Sequence, residues 1–249
     1  MATELVPPKH LIKLVGGGGA EGFAMIGQHC LDLIVTYGAL KSTDRVLEVG
    51  CGCGRVARPL TGYLASGSYE GFDVVLESIK WCQDNITQLS PRFRFRHADV
   101  FNSFYNPNGK LAAKDFRFPY PDNSFDFTLL TSVFTHMLPD DVAHYSREIA
   151  RTLKPRGTAL ITFFILNEES QPRQFSPEST DCFPNAFVEG QCFVSDPARP
   201  EALVAYVEEF ATRLLTVNGL RLQEPIYPGY WCGRKNGVTL QDLAICTKA

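Results

Sequence analysis

Three acidic side chains and one histidine have the chemistry expected of a site that binds a cation and removes a proton. Glu48 is the charged residue in an otherwise apolar run, while Asp73 and Asp99 each lie at or near the end of a stretch typical of a β-strand. Carboxylates in such places suit a cation better than a phosphate. His136 adds a group whose unperturbed pKa of about 6.5 allows proton removal near neutrality. The residue types therefore indicate a cationic ligand and a candidate proton acceptor.

The first element that must position them is a strand followed by a glycine turn. Val46–Val49 is predicted to be a short buried strand, and a helix is predicted to follow the turn as far as about Leu64. The turn carries glycines at alternate positions, namely Gly50, Gly52 and Gly54. Glycine adopts positive φ and lets a ligand approach the backbone, and open α/β sheets bind ligands at such turns. The turn therefore predicts a ligand cradle.

The ligand of this cradle has more than one candidate. Gly52–Ala57 fits the G-x-G-x-x-A fingerprint of dinucleotide binding, a pattern that also arises by chance. Ser68–Asp73 is predicted to be the second strand, and its last residue lies 23 positions after Gly50. An acid at this spacing is expected to take the ribose hydroxyls of an adenosine cofactor. Asp73 therefore supports the predicted fold, but it is expected with a dinucleotide and with another adenosine cofactor alike.

Four segments resemble, in order, the motifs of class I S-adenosylmethionine-dependent methyltransferases. Glu48–Gly54 resembles the first motif, an acid followed by G-x-G-x-G, and Ala98–Val100 resembles the end of the third strand. Asp122–Pro139 resembles the fourth motif, in which D-S-F-D leads into a strand and then a helix entered through H-[ML]-P. Leu153–Gly157 resembles the L-K-P-G-G turn before the fifth strand. From about residue 40 to residue 166, the chain is identified as a member of this superfamily.

The resemblance implies S-adenosyl-L-methionine as cofactor and S-adenosyl-L-homocysteine as product. It places the glycine turn under the methionine half, with Glu48 orienting the ammonium group and Asp73 on the ribose. The resemblance also implies that Asp99 accepts a hydrogen bond from the adenine amino group and that Val100 packs on the adenine ring. The predicted cofactor-binding residues are Glu48, Gly50, Cys51, Gly52, Gly54, Arg55, Asp73, Val74, Asp99, Val100 and Thr131.

The acceptor side of the site is predicted from histidines and aromatic residues. His136 follows the fourth strand and is either a general base or a structural residue at the helix entry, and His29 could reach the pocket from the first long helix. Phe134, Phe164 and Trp231 are predicted to line an apolar acceptor pocket. These residues favour O-methylation of a small organic acceptor, as in natural-product biosynthesis. N-methylation of a small amine, an NAD-dependent oxidoreductase and a non-catalytic binder remain the alternatives.

Composition restricts the partners. The chain has 249 residues, a formal net charge of −3 and 45% hydrophobic residues. The negative charge argues against a nucleic-acid substrate, and no apolar run reaches membrane-spanning length. The eight cysteines are dispersed, without zinc spacing or a secretory signal. We expect a cytoplasmic monomer or homodimer that acts on a small molecule, with no metal, no nucleic acid and no membrane.

The expected fold is a single α/β domain over residues 1–249, with a Rossmann-like doubly wound seven-stranded sheet, mostly parallel with an antiparallel C-terminal strand. Residues 1–40 form an N-terminal loop and cap helix, with a glycine run at 16–19, and residues 41–166 form the cofactor-binding core. Residues 167–200 are a lid-like insertion, and residues 201–249 form a helix (201–217) and a β-hairpin. Gly157 is predicted to supply positive φ, because Arg156 replaces the usual first glycine of its turn.

Overall fold

The computed structural model describes residues 5–16 and 18–249. The predictions of a loose N-terminus and of a glycine loop at 16–19 therefore lie partly outside the described residues, at positions 1–4 and 17. Within the described ranges the α-helices are α1 (Lys9–Leu14), α2 (Gly19–Thr36), α3 (Ala57–Tyr63), α4 (Leu76–Cys82), α5 (Pro139–Thr152), α6 (Ser170–Arg173) and α7 (Glu208–Val217). A π-helical turn at Gln83–Thr87 extends α4, and 3₁₀ turns lie at Ala113–Asp115, Phe134–His136 and Pro200–Ala202.

The strands form one large and one small sheet. They are β1 (Arg45–Val49), β2 (Ser68–Asp73), β3 (Phe93–His97), β4 (Phe125–Leu130), β5 (Leu153–Phe163), β6 (Ile165–Leu166), β7 (Asn185–Val188), β8 (Cys192–Val194), β9 (Val204–Val207), β10 (Leu220–Tyr227) and β11 (Asp242–Lys248). The seven-stranded sheet has the order β10-β11-β5-β4-β1-β2-β3. Strands β1 to β5 pair in parallel, and β11 is antiparallel to both β5 and β10. The predicted fold class is confirmed.

Both faces of the large sheet are buried. Along β1, Val46 packs into one apolar cluster, while Leu47 and Val49 pack into another. The same alternation holds in β4, where Phe127 and Leu129 face one cluster and Leu130 faces the other. Successive side chains of a strand point to opposite faces, so a strand that is apolar at nearly every position is covered on both sides. The carboxyl ends of β1, β2 and β4 are therefore held rigidly beside one another.

The segment after β5 contains a second sheet that the sequence did not reveal. Strands β6 to β9 form it in the order β6-β9-β8-β7. The helix predicted from residue 201 begins only at Glu208, because residues 204–207 form strand β9, which pairs with β8 on one side and β6 on the other. Val204 and Tyr206 are buried in the main core, so the apolar run fits a strand as well as a helix. The region predicted as a lid-like insertion thus has regular structure of its own.

The turn at the start of β5 differs from the prediction. Arg156 itself takes positive φ, at +66°, and Gly157 does not. A Cβ atom on Gly157 would lie 2.9 Å from the Lys154 carbonyl oxygen and 3.1 Å from that of Asp126. The glycine is therefore required for close backbone approach, and the left-handed conformation is carried by the arginine.

Candidate active site

A cavity of about 240 Å³ opens at the carboxyl ends of β1, β2 and β4. The glycine turn forms its floor. Gly50, Gly52 and Gly54 all have positive φ, at 72°, 50° and 80°. The amides of Gly50 and Cys51 donate to the Phe72 carbonyl oxygen at 2.9 and 3.1 Å, which anchors the turn to the end of β2.

The three glycines face different neighbours. Gly50 and Gly52 line the cavity, where an added Cβ would overlap Val133 or Val15 respectively. Gly54 does not line it; an added Cβ there would meet Ile86 behind the turn. Two glycines therefore leave room in the cavity, and the third allows the turn to pack on the helix that follows β2.

Asp73 ties the glycine turn to the second strand. Its Oδ2 accepts the Gly52 N–H at 2.7 Å, and its Oδ1 accepts the Val75 N–H at 2.8 Å. Burial raises the pKa of Asp73 in spite of these donors. Val74 lines the cavity beside it. The carboxylate therefore shapes the cavity floor as well as facing its interior.

Glu48 is buried beneath the turn and also lines the cavity. Its side chain accepts a short hydrogen bond from the Tyr69 hydroxyl. Burial raises the pKa of Glu48 to about 8, so this carboxyl is mostly protonated at neutral pH without a ligand. A cationic ligand group would favour its ionised form. Cys51, also in the cavity wall, is buried, and burial raises the pKa of its thiol well above the ordinary value, so it is a thiol and not a thiolate.

The N-terminal segment closes one side of the cavity. Leu14, Val15 and Gly16 line it, and the Arg55 guanidinium donates to the Val15 carbonyl oxygen. The sequence shows a glycine run at 16–19, but gives no sign that the last residue of α1 and the two residues after it form a wall of the cavity. Nothing in the periodicity of a six-residue helix marks such a contact.

His136 lies at the other end of the cavity, on the 3₁₀ turn after β4. Its Nδ1 is 3.2 Å from the Glu201 carbonyl oxygen, and its Nε2 is 3.4 Å from the Tyr105 hydroxyl oxygen. Burial lowers the pKa of His136. The imidazole is therefore neutral at physiological pH, and a carbonyl at Nδ1 requires the proton to be on that nitrogen.

Several cavity residues were missed by sequence reasoning. They are Ser78, Asn102, Tyr105, Asp141, Tyr145 and Glu201. Burial and the nearby charge of Glu201 raise the pKa of Asp141. The sequence offers no signal for Tyr105 and Glu201, because one lies in an irregular loop and the other is 65 residues from His136.

Six predicted site residues do not line the cavity, and Gly54, described above, is one of them. The Asp99 carboxylate turns towards Lys110 Nζ at 3.5 Å, although the adjacent Val100 does line the cavity with Thr131. Phe134 packs into the core against Phe163. The remaining three are His29, Phe164 and Trp231.

These last three side chains have other surroundings. His29 is on the exposed side of α2. Phe164 and Trp231 pack with Phe183 in a separate apolar cluster, and the Trp231 indole donates to Asp242 at 2.7 Å. The structure thus does not place the predicted aromatic acceptor pocket at this site.

The residues present fit a ligand that carries a cation and hydroxyl groups. Ser78 Oγ, in the cavity wall one turn after Val75, is buried and has no hydrogen-bond partner in the part of the chain that the structure describes. Glu48 offers a buried carboxyl, and the glycine floor leaves space against the backbone. Among residues 5–16 and 18–249, no group of three or more His, Cys, Asp or Glu side chains is arranged to hold a metal ion. No helix within these ranges is long and apolar enough to cross a membrane.

Comparison with known proteins extends these observations. Residues 47–161 match the family model described as a methyltransferase domain. A phthiotriol/phenolphthiotriol dimycocerosates methyltransferase of Mycobacterium ulcerans is 35% identical over 124 residues, which cover 49% of this chain and 38% of the relative. A fatty-acid O-methyltransferase of Mycolicibacterium smegmatis is 33% identical, covering 54% and 40%. A tRNA N(3)-cytidine methyltransferase of Gallus gallus is 30% identical, covering 50% and 31%. The matched stretch thus spans less than half the length of each relative.

A solved structure resembles the fold over most of the chain. The 1,6-didemethyltoxoflavin-N1-methyltransferase of Burkholderia thailandensis, crystallised with S-adenosylhomocysteine, has a TM-score of 0.55 at 17% identity. The alignment covers 89% of this chain and 77% of that one. At this identity the likeness shows a shared fold.

Proposed function

Because this chain belongs to the class I S-adenosylmethionine-dependent methyltransferase superfamily, we propose that it transfers a methyl group to a hydroxyl of a small organic acceptor. S-adenosylmethionine, the cofactor of the family, supplies an already activated methyl group when bound. The protein must then hold both reactants in line, exclude water and take up the acceptor's proton. Holding two reactants in line accounts for roughly 7–11 kcal/mol in comparable reactions.

The cofactor half of the cavity is assigned to the glycine turn and its neighbours. Glu48 would hold the ammonium group, and Asp73 would accept from ribose hydroxyls while keeping its bond to Gly52. The buried Ser78 hydroxyl would form a hydrogen bond with the ligand. Asp99 stays a predicted partner of the adenine amino group, although its carboxylate lies 3.5 Å from the exposed Lys110 Nζ and does not line the cavity.

The single observation that carries the hydroxyl acceptor is the state of His136. A neutral imidazole with its proton on Nδ1 has a basic lone pair at Nε2, on the side of the ring where the Tyr105 hydroxyl lies 3.4 Å away in the cavity wall. An amine acceptor in its neutral form needs no base to attack the methyl group, whereas a hydroxyl gains from one. The O-methyltransferase name of one relative agrees with this choice.

The acidic lining supports a small acceptor over RNA. Glu48, Asp73, Asp141 and Glu201 line the cavity, against one guanidinium, that of Arg55. Glu48 is mostly protonated at neutral pH, but the other three acidic residues still outnumber the single guanidinium, and such a lining repels phosphate groups. Asp141 and Glu201 could also hold an ammonium group, and this favours N-methylation of a small amine as the second candidate. A cytoplasmic location, a monomer or homodimer and a role in natural-product biosynthesis remain predictions from the sequence.

The test is transfer of labelled methyl from S-adenosylmethionine to a panel of alcohols, phenols, fatty acids, small amines and tRNA. We expect label in hydroxyl acceptors, and label only in tRNA would refute the proposal. His136→Gln should lower kcat on the order of a hundredfold or more, as loss of a general base does, with unchanged affinity for S-adenosylhomocysteine by calorimetry. Wild-type turnover in His136→Gln would leave proximity alone as the source of catalysis.

A further inference from the structure

We propose that Tyr105 is a second catalytic residue, which carries the acceptor's proton to His136. The assignment rests on the proposed function, since it supplies the path for the proton that a hydroxyl acceptor must lose. Both side chains line the cavity, and their rings meet edge to face with centroids 5.3 Å apart.

The direction of the hydrogen bond between the two side chains follows from the other side of the imidazole. The Glu201 carbonyl at Nδ1 can only accept, so Nδ1 carries the proton of the neutral ring. Nε2 is then an acceptor, and the Tyr105 hydroxyl, 3.4 Å away, must donate to it. The phenolic oxygen keeps its lone pairs for a further donor. A hydroxyl in the cavity is such a donor.

The loop that bears Tyr105 is fastened to the histidine by Asn102. Asn102 Oδ1 accepts the amides of Phe104 and Tyr105 at 3.1 and 2.9 Å, and its Nδ2 donates to the His136 carbonyl oxygen at 3.2 Å. One amide side chain therefore fixes the Tyr105 backbone relative to the His136 backbone. Such a connection is expected where two side chains must act together.

Glu201, from the segment just before β9, also connects His136 to the loop that bears Tyr105. Its carbonyl oxygen faces His136, and its carboxylate Oε2 accepts the Ser103 N–H at 2.9 Å. Glu201 is the middle residue of the 3₁₀ turn Pro200–Ala202, which precedes β9. The 3₁₀ turn before β9 thus positions the base and the loop of Tyr105 through a single residue.

The proposed step balances in atoms and charge. Tyr105 Oη takes the acceptor's proton and passes its own proton to His136 Nε2. The acceptor oxygen gains the methyl carbon as the sulfur keeps the electron pair of the broken bond. The positive charge that leaves the sulfonium is then carried by the imidazolium, and no further reactant is needed.

The test is Tyr105→Phe, which removes only the hydroxyl. With the hydroxyl acceptor found in the labelling panel, we expect the single-turnover rate to fall on the order of a hundredfold, with unchanged affinity for S-adenosylhomocysteine. The matched control is Tyr63→Phe, which removes a hydroxyl bonded to the Leu40 carbonyl at 2.6 Å, away from the cavity. It should leave both quantities unchanged. A wild-type rate in Tyr105→Phe would overturn the proposal.

A second measurement is independent of any acceptor. Nitrogen-15 NMR of the imidazole should show the Nε2 resonance of His136 shifting in Tyr105→Phe, because its lone pair loses a hydrogen bond, while Nδ1 stays protonated. An unchanged Nε2 signal would overturn the pairing. If the wild type labels no hydroxyl acceptor, the proposed function fails even where the NMR shift is found; if it does and Tyr105→Phe is fully active, only the proton path fails.

Discussion

Replacing Asp242 by alanine should cause the largest loss of stability of the substitutions considered for this protein. Asp242 is 2% exposed, and its carboxylate accepts four hydrogen bonds. Oδ1 accepts from the Gly229 amide at 2.8 Å and from Arg234 Nη1 at 2.7 Å. Oδ2 accepts from the Ile165 amide at 2.8 Å and from the Trp231 indole at 2.7 Å. One side chain therefore joins β11, the start of β6 and the loop before β11.

The expected magnitude follows from the partners left behind. The Arg234 side chain is 2% exposed, and its other ion pair, with Glu169, is longer, at 3.1 Å. Removing one member of a buried ion pair costs about 3–5 kcal/mol, because the other charge stays buried without compensation. The orphaned amides and indole add to this, at about 1–3 kcal/mol for each fully buried donor. We therefore expect the free energy of unfolding to fall by at least about 3 kcal/mol.

Urea unfolding monitored by tryptophan fluorescence and circular dichroism measures this loss. The control Asp196→Ala removes an exposed carboxylate that pairs with Arg199, and should leave the midpoint unchanged. The double substitution Asp242→Leu with Arg234→Met should recover the part of the loss that comes from the unpaired Arg234 charge. It should not recover the part that comes from the orphaned amides and indole, since leucine offers them no acceptor. A loss below about 1 kcal/mol for Asp242→Ala would refute this account of the cluster.

Two further predictions concern the cofactor half of the cavity. Asp73→Ala should weaken binding of S-adenosylhomocysteine by roughly 1.5–3 kcal/mol, the value of a charge-assisted hydrogen bond, and also leave Gly52 N–H without its acceptor; unchanged affinity by calorimetry would contradict the ribose assignment. In the ligand-free wild type, the pKa of Glu48 is raised from 4.5 to about 8 in the folded state. The folded state therefore binds the Glu48 proton more tightly than the unfolded state does. The contribution of Glu48 to the free energy of unfolding is complete below pH 4.5 and is lost as the pH rises through about 8. Glu48→Gln should remove that fall, and equal pH slopes for the two proteins in urea unfolding would contradict it.

The parts of the fold that could be predicted are those fixed by local sequence. The glycines at 50, 52 and 54 demand positive φ, and the apolar strands around them demand burial on both faces, so the parallel sheet and its cradle follow. The antiparallel end of the sheet follows from the hairpin pattern of the last thirty or so residues. Each of these features depends on residues that are close together in the chain.

The parts that could not be predicted depend on side-chain direction or on contacts between distant segments. Asp99 stands where the family motif places it, yet its carboxylate lies beside Lys110 of the loop after β3 and does not line the cavity. Tyr105 and Glu201 meet His136 only through tertiary structure. Arg156 takes the left-handed conformation expected of Gly157. The glycine is needed at position 157 for another reason, since the backbone oxygens of Lys154 and Asp126 leave no space there for a Cβ atom. Composition and periodicity carry no information on such choices.

The hydrogen bonds under the glycine turn have a consequence for affinity. Two amides on the Phe72 carbonyl and a third on Asp73 hold the turn in its bent form through contacts of the protein itself. The entropy of ordering this loop is therefore lost once, during folding, and is not lost again at each binding event. Such preorganisation leaves the difference between substrate and product cofactor to the direct contacts of the sulfur and its methyl group.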